Sequence, residues 1–396
     1  MIVKEARRRE RREPDYLLAL TVVALSLLGL LMVYSTTCDW SYLASGDPFR
    51  QVERQVLWLA LGVGVALLLV RTDYALLRRF AVPLLGGTLA VLLVLLIVGD
   101  WVWGARRSFL NGSVQPGELA KLTTVVYAAA WISSKGDQIR DVTYGLIPFS
   151  IWVGVIAGLV VLQPDMSAAA ALVAAGFAVF FLAGAHIGQL FVAATVGGGA
   201  FCGLIALYPY AHRRVAEFIA GLQDPSRLPY QPRQALYALA NGGWFGTGLG
   251  NGREKFYLPM AHNDTIFAVV GEELGLLGCL LVIGLFILLA WRGFRIALRA
   301  QDRFGSLLAC GLTCLLIFQA LLHLGPVTSL VPFTGTTLPF ISAGGSSLVV
   351  SLAAVGLLLS VSRGRPPREW RDGALLDRGR WDGRARLPWP GRPERA

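Results

Sequence analysis

Residues 242–275 read GGWFGTGLGNGREKFYLPMAHNDTIFAVVGEELG. A glycine-rich stretch runs into an aromatic and basic segment, and Asp264 then stands at the mouth of an apolar run that also carries Glu272 and Glu273. Glycine-rich backbone can approach a ligand closely and offer amides to anions. Carboxylates at the edge of a membrane span, or inside it, are costly unless paired, hydrated or functional. Three so close together mark a candidate site.

The apolar run at 265–291 is one of ten. The others cover 16–35, 56–70, 82–99, 119–133, 146–162, 168–184, 187–208, 307–325 and 341–361. Apolar residues make up 55% of the chain, charged residues 15%, and the mean hydropathy is +0.58. Runs of roughly 17–25 residues match a hydrocarbon core about 30 Å thick. They are too long and too continuous for the alternating strands of a membrane barrel. The chain reads as an all-α polytopic membrane protein of about ten transmembrane helices. No short repeat and no inverted repeat of the transporter kind is evident.

Basic residues in short loops set the orientation. The N-terminal KEARRRERR, the loops at 71–79, 135–140 and 292–303, and the tail after 362 all fall on one side, which is expected to be cytoplasmic. The segments 36–55, 100–115, 209–263 and 326–340 lie opposite, and 209–263 is the long loop between spans seven and eight. Three regions follow: a basic N-terminal segment (1–15), a membrane domain (16–362) and a basic, proline-rich, disordered tail (363–396). The first span lacks a small-residue cleavage site and reads as an anchor. Most of the net charge of +11 sits at the two ends, where it fixes topology and meets anionic lipid; no module for nucleic acid is present. The five cysteines form no CxxC or Cys/His pattern, so neither a metal site nor a structural disulfide is expected.

Polar residues gather in four places on the expected outer side. Arg106 and Arg107 precede Gln115-Pro116-Gly117-Glu118-Leu119-Ala120-Lys121, where Glu118 and Lys121 share one face of a helix entry. They can form an ion pair there or meet a ligand. Asp165, after Gln163-Pro164, is placed to cap the next helix. The glycine-rich stretch leads to Lys255, His262 and Asp264. Residues 332–347, PFTGTTLPFISAGGSS, break a helix at membrane depth; that is tolerated around a wet cavity, or serves close packing by small residues. Together these features describe an outward polar cavity for an anionic, membrane-associated ligand.

These stretches resemble one family. YQPRQALYALANGGWFGTGLG at 230–250 and YLPMAHNDTIFAVVGEELG at 257–275 are similar to the SEDS proteins of bacterial shape, elongation, division and sporulation (FtsW, RodA, SpoVE). GARR followed by QPGELAK, LQPD, and LVPFTGTTLPFISAGGSSL after Gln319 agree in order, from about Asp15 to Ser362. The GREKFYLP segment is closer to the FtsW/SpoVE branch. The chain departs from the usual pattern at Ser108, Gly117, Ser167, Ala168, Met260, Asn263, Thr265, His323 and Ala343, which suggests a divergent member.

The resemblance implies a ten-helix peptidoglycan glycosyltransferase in the bacterial cytoplasmic (inner) membrane. It would polymerise lipid II, an undecaprenyl-pyrophosphate-linked substrate, at the outer face during division, shape maintenance or sporulation. It also implies a class B penicillin-binding protein as transpeptidase partner, alongside other divisome or elongasome membrane proteins. Asp264 corresponds to the family's catalytic carboxylate and is the candidate general base; capping the following helix is its structural alternative. Candidate substrate-binding residues are Arg106, Arg107, Glu118, Lys121, Arg213, Arg233, Lys255, His262, Ser346 and Ser347. The basic ones would face charge developing on the pyrophosphate. No motif demands a metal, although Mg²⁺ or Mn²⁺ is compatible with phosphate chemistry. A weakly catalytic scaffold for a transpeptidase and a flippase for a lipid-linked precursor are the competing readings.

Overall fold

The computed structural model describes residues 13–102, 105–108 and 114–364, and each of the ten expected spans falls mainly on one helix, the last beginning at Gly345 rather than at 341 because 341–344 continues the broken segment. In chain order these are α1 (Tyr16–Ser45), α2 (Arg50–Arg71), α3 (Ala75–Val98), α4 (Pro116–Lys135), α5 (Ile147–Val161), α6 (Met166–Leu182), α7 (Ile187–Leu207), α10 (Ile266–Leu298), α11 (Arg303–Val327) and α12 (Gly345–Arg363). Among the described residues, eight helical stretches are long and apolar enough to cross a membrane; α4 and the 17-residue α6 are not among them. The expected tail lies largely outside the described residues, as does most of the basic N-terminal segment.

The long loop expected at 209–263 is partly helical. It holds α8 (Pro209–Gln223) and α9 (Tyr230–Gly242). Both are short and carry polar residues on one face, so they lack the continuous apolar run that marks a span. Between α3 and α4, β1 (Asp100–Val102) and β2 (Ala105–Ser108) form a small antiparallel hairpin.

Small residues let the spans approach closely. Gly62 of α2 lies under Leu352 of α12, and a Cβ on Gly356 would stand 2.7 Å from the Ala66 backbone. A bidentate ion pair joins the start of α1 to α10: Arg292 Nε donates to Asp15 Oδ1 and Oδ2 at 3.0 Å.

One break in the bundle positions the site. α10 is interrupted at Gly275 (φ 68°, ψ −166°), a conformation that favours glycine. A break strands backbone groups that must find partners elsewhere in an apolar setting. The glycine-rich loop supplies them. Thr247 and Gly248 amides donate to the Glu272 and Glu273 carbonyls at 2.9 and 3.1 Å, and the Leu276 and Leu277 amides donate to the Gly243 and Trp244 carbonyls at 2.9 and 3.2 Å. A Cβ on Gly275 would overlap Gly246 N, so the two segments meet backbone to backbone.

Candidate active site

The half of α10 before the break, 266–274, carries Asp264 just ahead of it. Thr265 is the N-cap residue of α10 and its side chain makes no capping bond; Asp264 lies in the turn before it, its amide bonded to the Met260 carbonyl at 3.2 Å. The segment 332–344 runs alongside this turn. The Ser342 hydroxyl donates to the Asn263 carbonyl (2.7 Å) and the Ala343 amide to the His262 carbonyl (2.9 Å). This lacing brings Gly335 (φ +67°) to the carboxylate: a Cβ there would stand 3.2 Å from Asp264 Oδ2.

Asp264 opens onto a cleft of about 510 Å³ whose walls come from four places. Glu118 and Lys121 belong to α4, Asp165 to the start of α6, Gln319 to α11, and Thr336 and Thr337 to the broken segment. Lys121 Nζ lies 2.8 Å from both Glu118 oxygens, and both side chains are nearly enclosed. Asp165 caps α6, accepting from the Ala168 amide and the Ser167 hydroxyl at 3.0 Å each. The cleft thus holds three carboxylates against one ammonium. Among the described residues no cluster of His, Cys, Asp and Glu able to hold a metal forms, so the side chains do not make a metal cage by themselves.

The other expected site residues stand elsewhere. Lys255 is buried, and its ammonium donates to Gly250 O (2.7 Å), Ser35 O (3.0 Å) and Glu273 Oε1 (3.2 Å). Its charge is matched inside the fold, and its setting does not support a role at a pyrophosphate. The glycine-rich loop departs from expectation in the same way. The Gly250 amide donates to Glu273 Oε2 (3.0 Å) and the Arg253 amide to Glu272 Oε1 (2.7 Å). With the bonds across the break, these hydrogen bonds commit the Thr247, Gly248, Gly250 and Arg253 amides to α10 rather than to a phosphate. Of the three carboxylates first noted, Glu272 and Glu273 hold the loop and Asp264 faces the cleft.

Arg213 is exposed and paired with Glu217 at 2.7 Å. Arg233 reaches the Ser226 carbonyl at 3.4 Å. His262 is half-buried, and desolvation lowers its pKa, which favours the neutral ring. Ser346 accepts from the Gln115 amide (2.9 Å), and Ser347 from Gln319 Nε2 (3.0 Å); both fasten the start of α12 to the cleft walls. Arg106 and Arg107 lie on β2, with side chains outside the described part of the structure.

Sequence reasoning missed Gln319 and Arg214. Gln319 is a polar residue inside an apolar span, which was signal enough. Arg214 of α8 donates to the Phe333 carbonyl at 2.7 Å, two residues before Gly335. It borders a second groove of about 500 Å³ lined by Phe218, Leu228, Pro232, Val331 and Phe333. No local pattern separates Arg214 from its neighbour Arg213.

A family model described as "Cell cycle protein", covering FtsW, RodA and SpoVE, matches residues 15–366. A probable peptidoglycan glycosyltransferase FtsW of Trichlorobacter lovleyi is 40% identical over 357 residues, covering 89% of this chain and 94% of that one. Stage V sporulation protein E of Bacillus subtilis is 37% identical over 360 residues, covering 89% and 98%. A chain from a peptidoglycan synthase complex, solved for its coordination of polymerization and crosslinking, superimposes with a TM-score of 0.72 at 30% identity, covering 88% of this chain and 98% of that chain. The rod shape determining protein RodA of Thermus thermophilus superimposes at 0.65 and 31% identity, covering 88% and 97%. The chain belongs to the FtsW/RodA/SpoVE family.

Proposed function

We infer that this protein is a peptidoglycan glycosyltransferase that polymerises lipid II, with Asp264 as the general base. The single observation that carries the catalytic assignment is the cleft at Asp264. The Asp264 carboxylate, in the turn just before α10, lies beside Gly335 and lines a polar cavity walled by Glu118, Lys121 and Asp165. In the reaction, a sugar 4-hydroxyl attacks the anomeric carbon of a second lipid-linked sugar. The hydroxyl proton passes to Asp264 as the new glycosidic bond forms, and the bond to the undecaprenyl pyrophosphate breaks with its electron pair leaving on oxygen. A positioned base of this kind contributes roughly 10²- to 10⁴-fold.

The departing pyrophosphate calls for fixed positive charge. Lys121 lies in the cleft, and Arg214 is bonded to the backbone that leads to Gly335. The mostly apolar groove beside Arg214 suits the first units of the prenyl chain. Mg²⁺ or Mn²⁺ would have to take most of its ligands from substrate phosphate oxygens. The basic short loops support cytoplasmic termini and an outward-facing cleft across ten spans of the cytoplasmic membrane. The partner proposed is a class B penicillin-binding protein acting as transpeptidase.

The test is polymerisation of purified lipid II by the protein in detergent or nanodiscs, with and without that partner. Glycan strands lost in Asp264→Asn support the assignment. A wild type that binds the partner yet makes no strands in either condition contradicts it.

A further inference from the structure

Two charged clamps fix how deep each part of α10 sits. At one end Asp15 is joined to Arg292. At the other the Ser35 hydroxyl donates to Glu273, and Lys255 bonds both Ser35 and Glu273. Asp15 and Ser35 are twenty residues apart on α1, about 30 Å at the helical rise, and Glu273 and Arg292 are nearly as far apart on α10. That spacing equals the hydrocarbon thickness of a bilayer, about 30 Å. Charged groups belong at its two boundaries and cost most between them, so Glu273 marks the boundary on the Asp264 side.

The loop between α9 and the break passes below that boundary. The Gly243 and Trp244 carbonyls accept from the Leu276 and Leu277 amides. Those residues lie three and four positions inward of Glu273, past the break at Gly275, and so deeper than that boundary. At this depth the chain presents Trp244, 67% exposed, and Phe245, 80% exposed. Leu276, Leu277, Leu280 and Leu281 of α10 are likewise exposed and continue the same apolar surface inward. Large apolar side chains of this exposure in water would be a liability. At the headgroup boundary, aromatic residues are at their most favourable.

We propose that the Trp244–Phe245 turn is an anchor inserted into the leaflet on the Asp264 side, with bilayer lipid as its occupant. It goes beyond the glycosyltransferase reading and does not depend on Asp264 being the base. The anchor would fix the height of the loop and, through the bonds across the break, the half-helix that carries Asp264. That residue stands nine positions outward of Glu273, above the hydrocarbon, where lipid-linked sugars sit.

The test is spin-label accessibility in phosphatidylglycerol/phosphatidylethanolamine nanodiscs holding this protein alone. Labels are placed at Phe245→Cys, Leu281→Cys and Arg253→Cys, in a background whose exposed native cysteines are serine. The label at 245 should match 281 in high collision with oxygen and low collision with a nickel chelate, whereas 253 shows the reverse. A label at 245 that behaves like 253 overturns the proposal. So does one shielded only when a transpeptidase partner is added, which would make the turn a protein interface. A second measurement needs no cysteine. The fluorescence lost on Trp244→Phe should be a component that tail-brominated lipid quenches, and an unquenched component overturns the proposal.

Discussion

The ammonium of Lys255 lies 3.2 Å from Glu273 Oε1 with both side chains almost wholly enclosed, and Ser35 of α1 completes the contact. A buried pair is weak evidence of net stabilisation, but removing one member leaves an uncompensated charge. Lys255→Met should therefore cost about 3 to 5 kcal/mol. Lys255→Met with Glu273→Gln should recover most of it, because Gln can still accept from Gly250 and Ser35. Thermal melts of the single and double variants in detergent check this. Additive losses would mean that the two groups act independently.

Gly335 should tolerate no side chain. Its φ of +67° costs a non-glycine residue roughly 1–2 kcal/mol, and an added Cβ would press on Asp264 Oδ2. Gly335→Ala should lower polymerisation on the order of 10- to 100-fold through misplacement of the carboxylate, with only a small fall in melting temperature. Parallel rate and melting measurements separate the two effects.

Glu254 supplies a pH-dependent prediction. Burial, and then the nearby Glu272 carboxylate, raise its pKa above the ordinary carboxylate value. A carboxyl raised in the folded state adds stability below its unfolded pKa, and that stability is lost as pH rises through the folded value. Glu254→Gln should thus melt higher than wild type at neutral pH. The difference should shrink as pH falls into the carboxylate range, and melting curves across that range check it.

Much of the architecture was legible because apolar runs of span length have no other economical use. The helices α8 and α9 were not, since a short two-faced helix looks like a polar loop until something covers its apolar side. At the site, Asp264, Glu118 and Lys121 were legible as charges at helix entries in an apolar chain. The fate of Lys255 and of the glycine-rich stretch was not. Their partners, Ser35, Glu273 and the broken backbone at Gly275, are set by tertiary contacts that no local pattern records. Asp165 was read as a cap, which it is; that the same residue lines the cleft follows only from how α6 packs against α4.

The most direct test of the catalytic account is lipid II polymerisation by purified Asp264→Asn beside wild type, with melting temperature and transpeptidase binding measured on the same samples. The asparagine keeps the shape of the side chain and can still accept hydrogen bonds, but it cannot take a proton as a base. The account predicts a loss of roughly 10²- to 10⁴-fold in polymerisation, with folding and partner binding near wild type. Polymerisation persisting near the wild-type rate in the folded variant would contradict it.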